Sequence, residues 1–209
     1  EGMALGQIYH RGLGVRRYRI TVRTSGGHSW IDYGQPSAIH ELTGISTRIT
    51  ALELPHSPRT TLNVGVISGG SSVNTIAAEA MLELDLRSED TQALETLVRQ
   101  VEQIVHSAEK PGVTIGLEVI GQRPSGELPA GHSLVRLAQD CLLAVGIESH
   151  LNIGSTDANL PLSLGLPSVT IGLTTGGKGH TVYEFMNIAP LEKGMEQLFR
   201  VVSKAWDQL

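Results

Sequence analysis

The stretch 77–87, AAEAMLELDLR, sets Ala80, Leu82, Leu84 and Leu86 on one side and mostly polar residues on the other. That period of two belongs to a half-buried strand. Residues 15–24, VRRYRITVRT, alternate in the same way, as do 60–70, TTLNVGVISGG, while 112–121, GVTIGLEVIG, reads as a further strand. Between them the period changes. Residues 35–54 have helical character interrupted by Gly44, and 91–110 carry Leu94, Leu97, Val98, Val101, Ile104 and Val105 on one helical stripe before Pro111-Gly112 ends it.

The resulting order over residues 12–122 is β-α-β-β-α-β, which predicts a ferredoxin-like sandwich with both helices on one face of an antiparallel sheet. QRPSGELPAGH then supplies the prolines, glycines and polarity of an interdomain crossing. Residues 123–209 read differently. They predict a helix over 132–145 stopping at Gly146, a short strand at 147–153, and a Gly-Ser-Thr-Asp turn into another helix. A strand over 167–173, a glycine-rich loop and a last helix follow. Pro190 suits the first turn of that helix, and Leu191, Met195, Leu198, Phe199 and Val202 form its stripe. The alternation predicts an α/β layer. Two or three strands cannot cover both of their faces, so this half is expected to be incomplete. Residues 1–11, beginning with Glu1, read as the end of a strand running into a loop, and are expected to be the close of an upstream catalytic segment in a longer chain.

Composition narrows the functional classes. Hydrophobic content of 40% with 18% charged residues describes a globular chain of 209 residues. A formal charge of −5 and the absence of a lysine-rich run argue against a nucleic-acid partner. The arginines of GVRRYRITVR alternate with Tyr18, Ile20 and Val22 and read as the solvent face of a strand. Cys141 is the only cysteine, which excludes an internal disulfide and a cysteine-based zinc site. No apolar run approaches the ~18 residues a membrane span needs, and no signal peptide opens the chain, so the expectation is a cytoplasmic protein without a membrane partner.

Four local features carry candidate chemistry, and each has an ordinary structural explanation beside it. His28, in TSGGHSW, follows the first strand of the sandwich, where a histidine is commonly a polar loop residue. Asn74 and Arg87 lie thirteen residues apart, in a connection and at a strand end. An arginine there is usually solvated, but a guanidinium beside an amide is also how a carboxylate is held. GSTDAN, 154–159, places small hydroxyls at a strand-to-helix turn that can receive an anion, or simply cap the helix through Ser155, Thr156 or Asp157. His180, in TTGGKGHTVYEF, sits in a loop after a buried strand, where α/β sheets present catalytic groups. One histidine makes no zinc site, because zinc needs at least three protein ligands.

In this order, GGHS, the Asn74-to-Arg87 spacing ending in LDLR, GSTDAN and GHTVYEFMNI resemble the dinuclear-zinc aminoacylase/carboxypeptidase-type metallopeptidases. That family includes tripeptidase, acetylornithine deacetylase, succinyl-diaminopimelate desuccinylase and glutamate carboxypeptidase. The resemblance covers essentially the whole chain. It implies a ferredoxin-like lid or dimerisation domain followed by the C-terminal part of an α/β catalytic domain. It further implies a homodimer formed through the lid, two zinc ions in the complete enzyme, and a small peptide or N-acyl amino acid substrate. At matching positions His180 and Glu1 would be metal ligands, and His28 would stabilise the oxyanion in the partner's active site. Asn74 and Arg87 would grip a substrate carboxylate or backbone, and Ser155 and Thr156 would line the pocket. The family's His-x-Asp pair, bridging aspartate and Glu-Glu pair are absent from this sequence. The expectation is therefore a fragment of a zinc-dependent amidohydrolase or exopeptidase, inactive alone. The competing reading is a non-catalytic dimerisation or binding module.

Overall fold

A computed structural model describes residues 4–179 and 181–206. The chain divides into two compact units, Gly14–Arg123 and a second made by the described residues up to Leu13 together with those from Pro124 onward. Strand β1 (Gln7–Gly12) belongs to the second unit.

The first unit contains β2 (Gly14–Arg23), the two-residue β3 (Gly27–His28), helix α1 (Ala38–Thr50), β4 (Thr60–Gly69), the two-residue β5 (Thr75–Ile76), β6 (Glu79–Ser88), helix α2 (Thr91–His106) and β7 (Thr114–Arg123). Its main sheet runs β4-β6-β2-β7, antiparallel throughout. This is the ferredoxin-like sandwich that the alternation predicts. Tyr18, Ile20 and Val22 of β2 join Leu82, Leu84 and Leu86 of β6 in one buried cluster with Leu42, Ile45 and Ile49 of α1 and Leu97, Val98 and Val101 of α2. Both helices therefore cover the same face.

The opposite face of that sheet is a charge ladder. Arg17 pairs with Asp85 at 2.7 Å, Arg19 with Glu83 at 2.8 Å and Glu118 at 3.3 Å, and Arg23 with Glu79 at 2.6 Å. The β2–β6 register sets each of these arginines directly opposite its β6 carboxylate. Such exposed pairs are worth under ~1 kcal/mol each, but a one-residue slip would place every one of them in the core, so they help fix the register. Arg16 points the other way, 3.8 Å from Glu95 and beside Tyr18. The buried Tyr18 hydroxyl donates to Glu102 at 2.6 Å, and burial with that carboxylate pushes the phenol up to about 12.

In the second unit β1 is central. Strand β8 (Gly126–Glu127), helix α3 (Ser133–Ala144), β9 (His150–Gly154), helix α4 (Asn159–Ser163), β10 (Thr170–Ile171), the hairpin pair β11 (Gly176–Gly177) and β12 (Phe185–Met186), and helix α5 (Leu191–Ala205) complete it. Parallel β9 follows one edge of β1, while antiparallel β10 and β8 share the other. The sequence predicts a strand over 167–173, but the strand is confined to Thr170 and Ile171, paired with Tyr9 and Ile8, with a single bridge from Gly172 to Leu5, because β8 takes the next stretch of that edge at Arg11 and Gly12. No helix among the described residues is long and apolar enough to cross a membrane.

Helix α5 corrects the predicted stripe. Its buried residues are Gly194, Gln197 and Val201, whereas Phe199 and Val202 are exposed. The reason is a close approach: a Cβ on Gly194 would lie 1.7 Å from the Leu173 carbonyl oxygen. The helix turns its smallest residue to the chain beneath it, and part of its apolar stripe faces outward. Gly194→Ala thus has an expected sign opposite to helix propensity, which favours alanine by ~1 kcal/mol. We expect a net loss of about 2 kcal/mol or more from overpacking, read as a lowered urea midpoint at unchanged m-value. A raised midpoint would contradict this packing.

Candidate active site

The loop after β2 is built around glycines because the chain passes very close to its neighbours. Gly26 takes φ +66°, and a Cβ there would meet Ala78 Cβ at 2.9 Å. The chain can then pair β3 with β5, His28 opposite Thr75 and Gly27 opposite Ile76. The Ser29 N–H donates to the Asn74 carbonyl at 3.0 Å. This small ladder brings His28 and Asn74, 46 residues apart in the chain, to neighbouring positions.

The imidazole of His28 is exposed, but its orientation is set by the backbone. Its Nδ1 accepts from the N–H groups of Trp30 at 3.2 Å and Ile31 at 3.4 Å. Nδ1 therefore cannot carry the proton of the neutral ring, which leaves Nε2–H as an outward donor. Asp32 closes the same turn from the other side. Its Oδ2 accepts the His28 N–H at 2.7 Å, and its own N–H donates to the His28 carbonyl at 2.9 Å. The Asn74 side-chain oxygen accepts from the Ser72 hydroxyl at 2.8 Å, and that hydroxyl also lies 2.7 Å from Thr75 Oγ1. The Asn74 amide oxygen is thus engaged locally, which favours the NH2 as its outward group. Beside the ladder, a cavity of about 460 Å³ is lined by Ser29, Tyr33, Ser37, His40, Val73 and Thr75.

Arg87 is elsewhere. It stands at the far end of β6 on the outer face, its Nε donating to Asp85 Oδ2 at 2.6 Å. Burial alone would raise the Asp85 carboxyl, but hydrogen bonds from Arg87 and Arg17 hold it below the usual carboxylate range. The fork keeps its other nitrogens available while Nε is anchored. From Glu79 to Arg87 the strand advances on the order of 26 Å, so Arg87 does not join His28 and Asn74 within one chain.

The turn 154–159 is turned inward in the second unit. The Thr156 hydroxyl lies 3.0 Å from Thr170 Oγ1 and accepts the Ala158 N–H at 3.2 Å, and the Thr156 N–H donates to Asn159 Oδ1 at 2.8 Å. The Asn159 N–H donates to the Thr156 carbonyl. These N–H groups are engaged within the turn, and α4, which it enters, has only five residues. Ser155 is half-buried beside them. The residue that organises this turn is one the sequence reading did not single out. Asn159, fully buried, also donates its Nδ2–H to the carbonyls of Leu13 and Pro124, at 2.8 Å each.

His180 and Glu1 lie outside the described residues. The Thr181 N–H and hydroxyl both donate to the Lys178 carbonyl, and β11 pairs with β12. Among the described residues no three His, Cys, Asp or Glu side chains gather as a metal site requires. The described residues by themselves therefore do not fit a zinc ion.

Comparison with known proteins agrees with this architecture. Residues 10–113 match the family model of a peptidase dimerisation domain of the M20 type, and this module belongs to that family. The uncharacterized protein YqjE of Bacillus subtilis (strain 168) is 27% identical over 150 residues, covering 70% of this chain and 40% of the relative. A tripeptidase from Staphylococcus aureus superposes on 100% of this chain and 56% of its own length, with a TM-score of 0.81 and 23% identity. The aminopeptidase PepT from Bacillus cereus follows with 99% and 56%, a TM-score of 0.76 and 19% identity. The fold of the chain is thus shared with peptidases, and the chain spans little more than half the length of those structures.

Proposed function

We propose that this chain is the lid and the C-terminal catalytic segment of a zinc-dependent amide-bond hydrolase that acts, as a homodimer, on a small peptide or an N-acyl amino acid. The observation that carries this reading is the β3–β5 ladder. It sets His28 and Asn74 side by side, with outward donors, on a module of a dimerisation-domain family. The similarity in fold to a tripeptidase and an aminopeptidase supports the peptide class.

In this reading His28 donates its Nε2–H to the oxygen that becomes negative as the amide carbon turns tetrahedral, and Asn74, beside it, holds the substrate's carboxylate or backbone through its amide. Arg87, already oriented by Asp85, holds the substrate carboxylate. Ser155 and Thr156 border the pocket, Thr156 as part of its wall, since its hydroxyl and N–H are engaged within the turn. His180 and Glu1 are this chain's contribution to the metal ligands. The metal, when bound, polarises water and carbonyl. The remaining ligands and the general base come from segments this sequence does not contain.

The expected outcome is that the 209-residue chain hydrolyses no peptide or N-acyl amino acid, with or without zinc, while the intact parent protein does so and loses activity to a chelator. The measurement is a panel of both amide classes on the two proteins. Chelator-sensitive turnover by the chain alone would overturn the division of catalytic groups. A parent inert on the entire panel, still dimeric, would favour the non-catalytic dimerisation module.

A further inference from the structure

Asp32 has no role in the motif resemblance, yet it is the residue that shapes the His28 turn. Its carboxylate caps the His28 N–H at 2.7 Å, and its own N–H returns to the His28 carbonyl at 2.9 Å. Between these two bonds the chain can only run through Trp30 and Ile31, and it does so with both of their N–H groups aimed at Nδ1. The approach to Gly27 is correspondingly tight. A Cβ there would lie 2.8 Å from both Cβ and Oδ2 of Asp32 and 3.0 Å from its Cγ. The glycine before the histidine is the space that the carboxylate occupies.

We infer that Asp32 is a positioning residue that locks the neutral His28 imidazole as its Nε2–H tautomer. It acts at one remove: the carboxylate fixes the turn, the turn supplies two backbone donors, and those donors exclude the proton from Nδ1. The locked ring then presents a donor and not a lone pair, which is what a developing oxyanion needs. A preset donor also requires no reorganisation when charge appears. The functional half of this inference rests on the proposed oxyanion role of His28. The structural half does not.

The test has two arms. In the 209-residue chain with ¹⁵N-labelled histidine rings, long-range ¹H–¹⁵N correlations read the tautomer, and His28→Gln assigns the resonance. The wild type is expected to carry the neutral-ring proton on Nε2. Asp32→Ala should raise the Nδ1–H population and speed amide exchange at Trp30 and Ile31. Asp32→Asn, whose amide oxygen can still accept the His28 N–H, should restore both. Gly27→Ala displaces the carboxylate without removing it, and should shift the tautomer as Asp32→Ala does, so the inference survives a failure of either variant to fold. In the intact parent enzyme, Asp32→Ala should lower kcat about 10- to 100-fold with KM little changed, the scale of a small misplacement of a catalytic group, and Asp32→Asn should recover most of it. A wild-type proton on Nδ1, or tautomer populations unmoved in the folded variants, overturns the inference. If His28→Ala loses kcat while Asp32→Ala does not, the positioning role falls and the oxyanion role stands. If His28→Ala itself leaves kcat intact, the oxyanion role falls whatever the tautomer.

Discussion

Replacing His28 by alanine in the intact parent enzyme should lower kcat by roughly 10² to 10³ while leaving KM within a few-fold of wild type. The split follows from when the contact forms. A donor aimed at an oxyanion has its full partner only as charge develops, so its loss raises the transition state and spares the ground-state complex. The fold should not suffer. The His28 ring is exposed, and the hydrogen bonds it makes are confined to its own turn. Asn74→Ala should behave differently if that amide holds a group already charged in the substrate, raising KM more than it lowers kcat. Steady-state kinetics on both variants, with circular dichroism as the folding control, measures the difference. A His28→Ala enzyme whose defect lies wholly in KM would place the histidine in substrate binding.

The strands of the sandwich were legible because one face of each is buried against helices. Ala80, Leu82, Leu84 and Leu86 report directly which side of β6 is inward. The stripe on α2 was legible for the same reason: Leu94, Leu97, Val98, Val101 and Val105 are buried. Helix α5 misled because periodicity shows where the apolar side chains are, not where a backbone approaches. Gly194 carries no hydrophobic signal, yet the Leu173 carbonyl against it sets the helix's orientation. The short β10 was lost to competition along one edge of β1, a fact of topology that no local pattern encodes.

The candidate site divides in the same way. His28 and Asn74 were each visible as polar residues in glycine- and serine-rich turns, but their adjacency rests on a two-residue ladder between distant segments. Asp32 left a signal that could have been used, an aspartate four residues after the histidine in HSWIDYG, the kind of short side chain that closes turns on nearby N–H groups. GSTDAN fits an anion site or a plain cap equally in sequence, and the structure engages the Thr156 hydroxyl and N–H within the turn. A Ser/Thr turn looks alike in sequence whether it caps a helix, receives an anion or packs inward.

The separation of His28 from Arg87 carries the second large effect. Arg87 stands near one end of β6, while His28 lies on β3, paired with β5 just ahead of the other end. From Glu79 to Arg87 alone the strand runs on the order of 26 Å, whereas two or three extended residues of a substrate span at most about 11 Å. One chain cannot bring both to the same small substrate. If both serve one site, each site of the dimer takes Arg87 from one protomer and His28 from its partner. A mixture of His28→Ala and Arg87→Ala subunits, each nearly inactive alone, then has a definite expected result. Random reassortment makes about half of the dimers mixed, and each mixed dimer holds one site with both residues intact and one with neither. Activity should recover to roughly a quarter of wild type, with the KM of the wild-type enzyme, because the restored sites are complete. Equal mixing of the two variants after gentle dissociation, with subunit exchange followed by mass spectrometry, reads this directly. Recovery that fails although mixed dimers have formed would mean that His28 and Arg87 act within separate functions, and the shared site would be wrong.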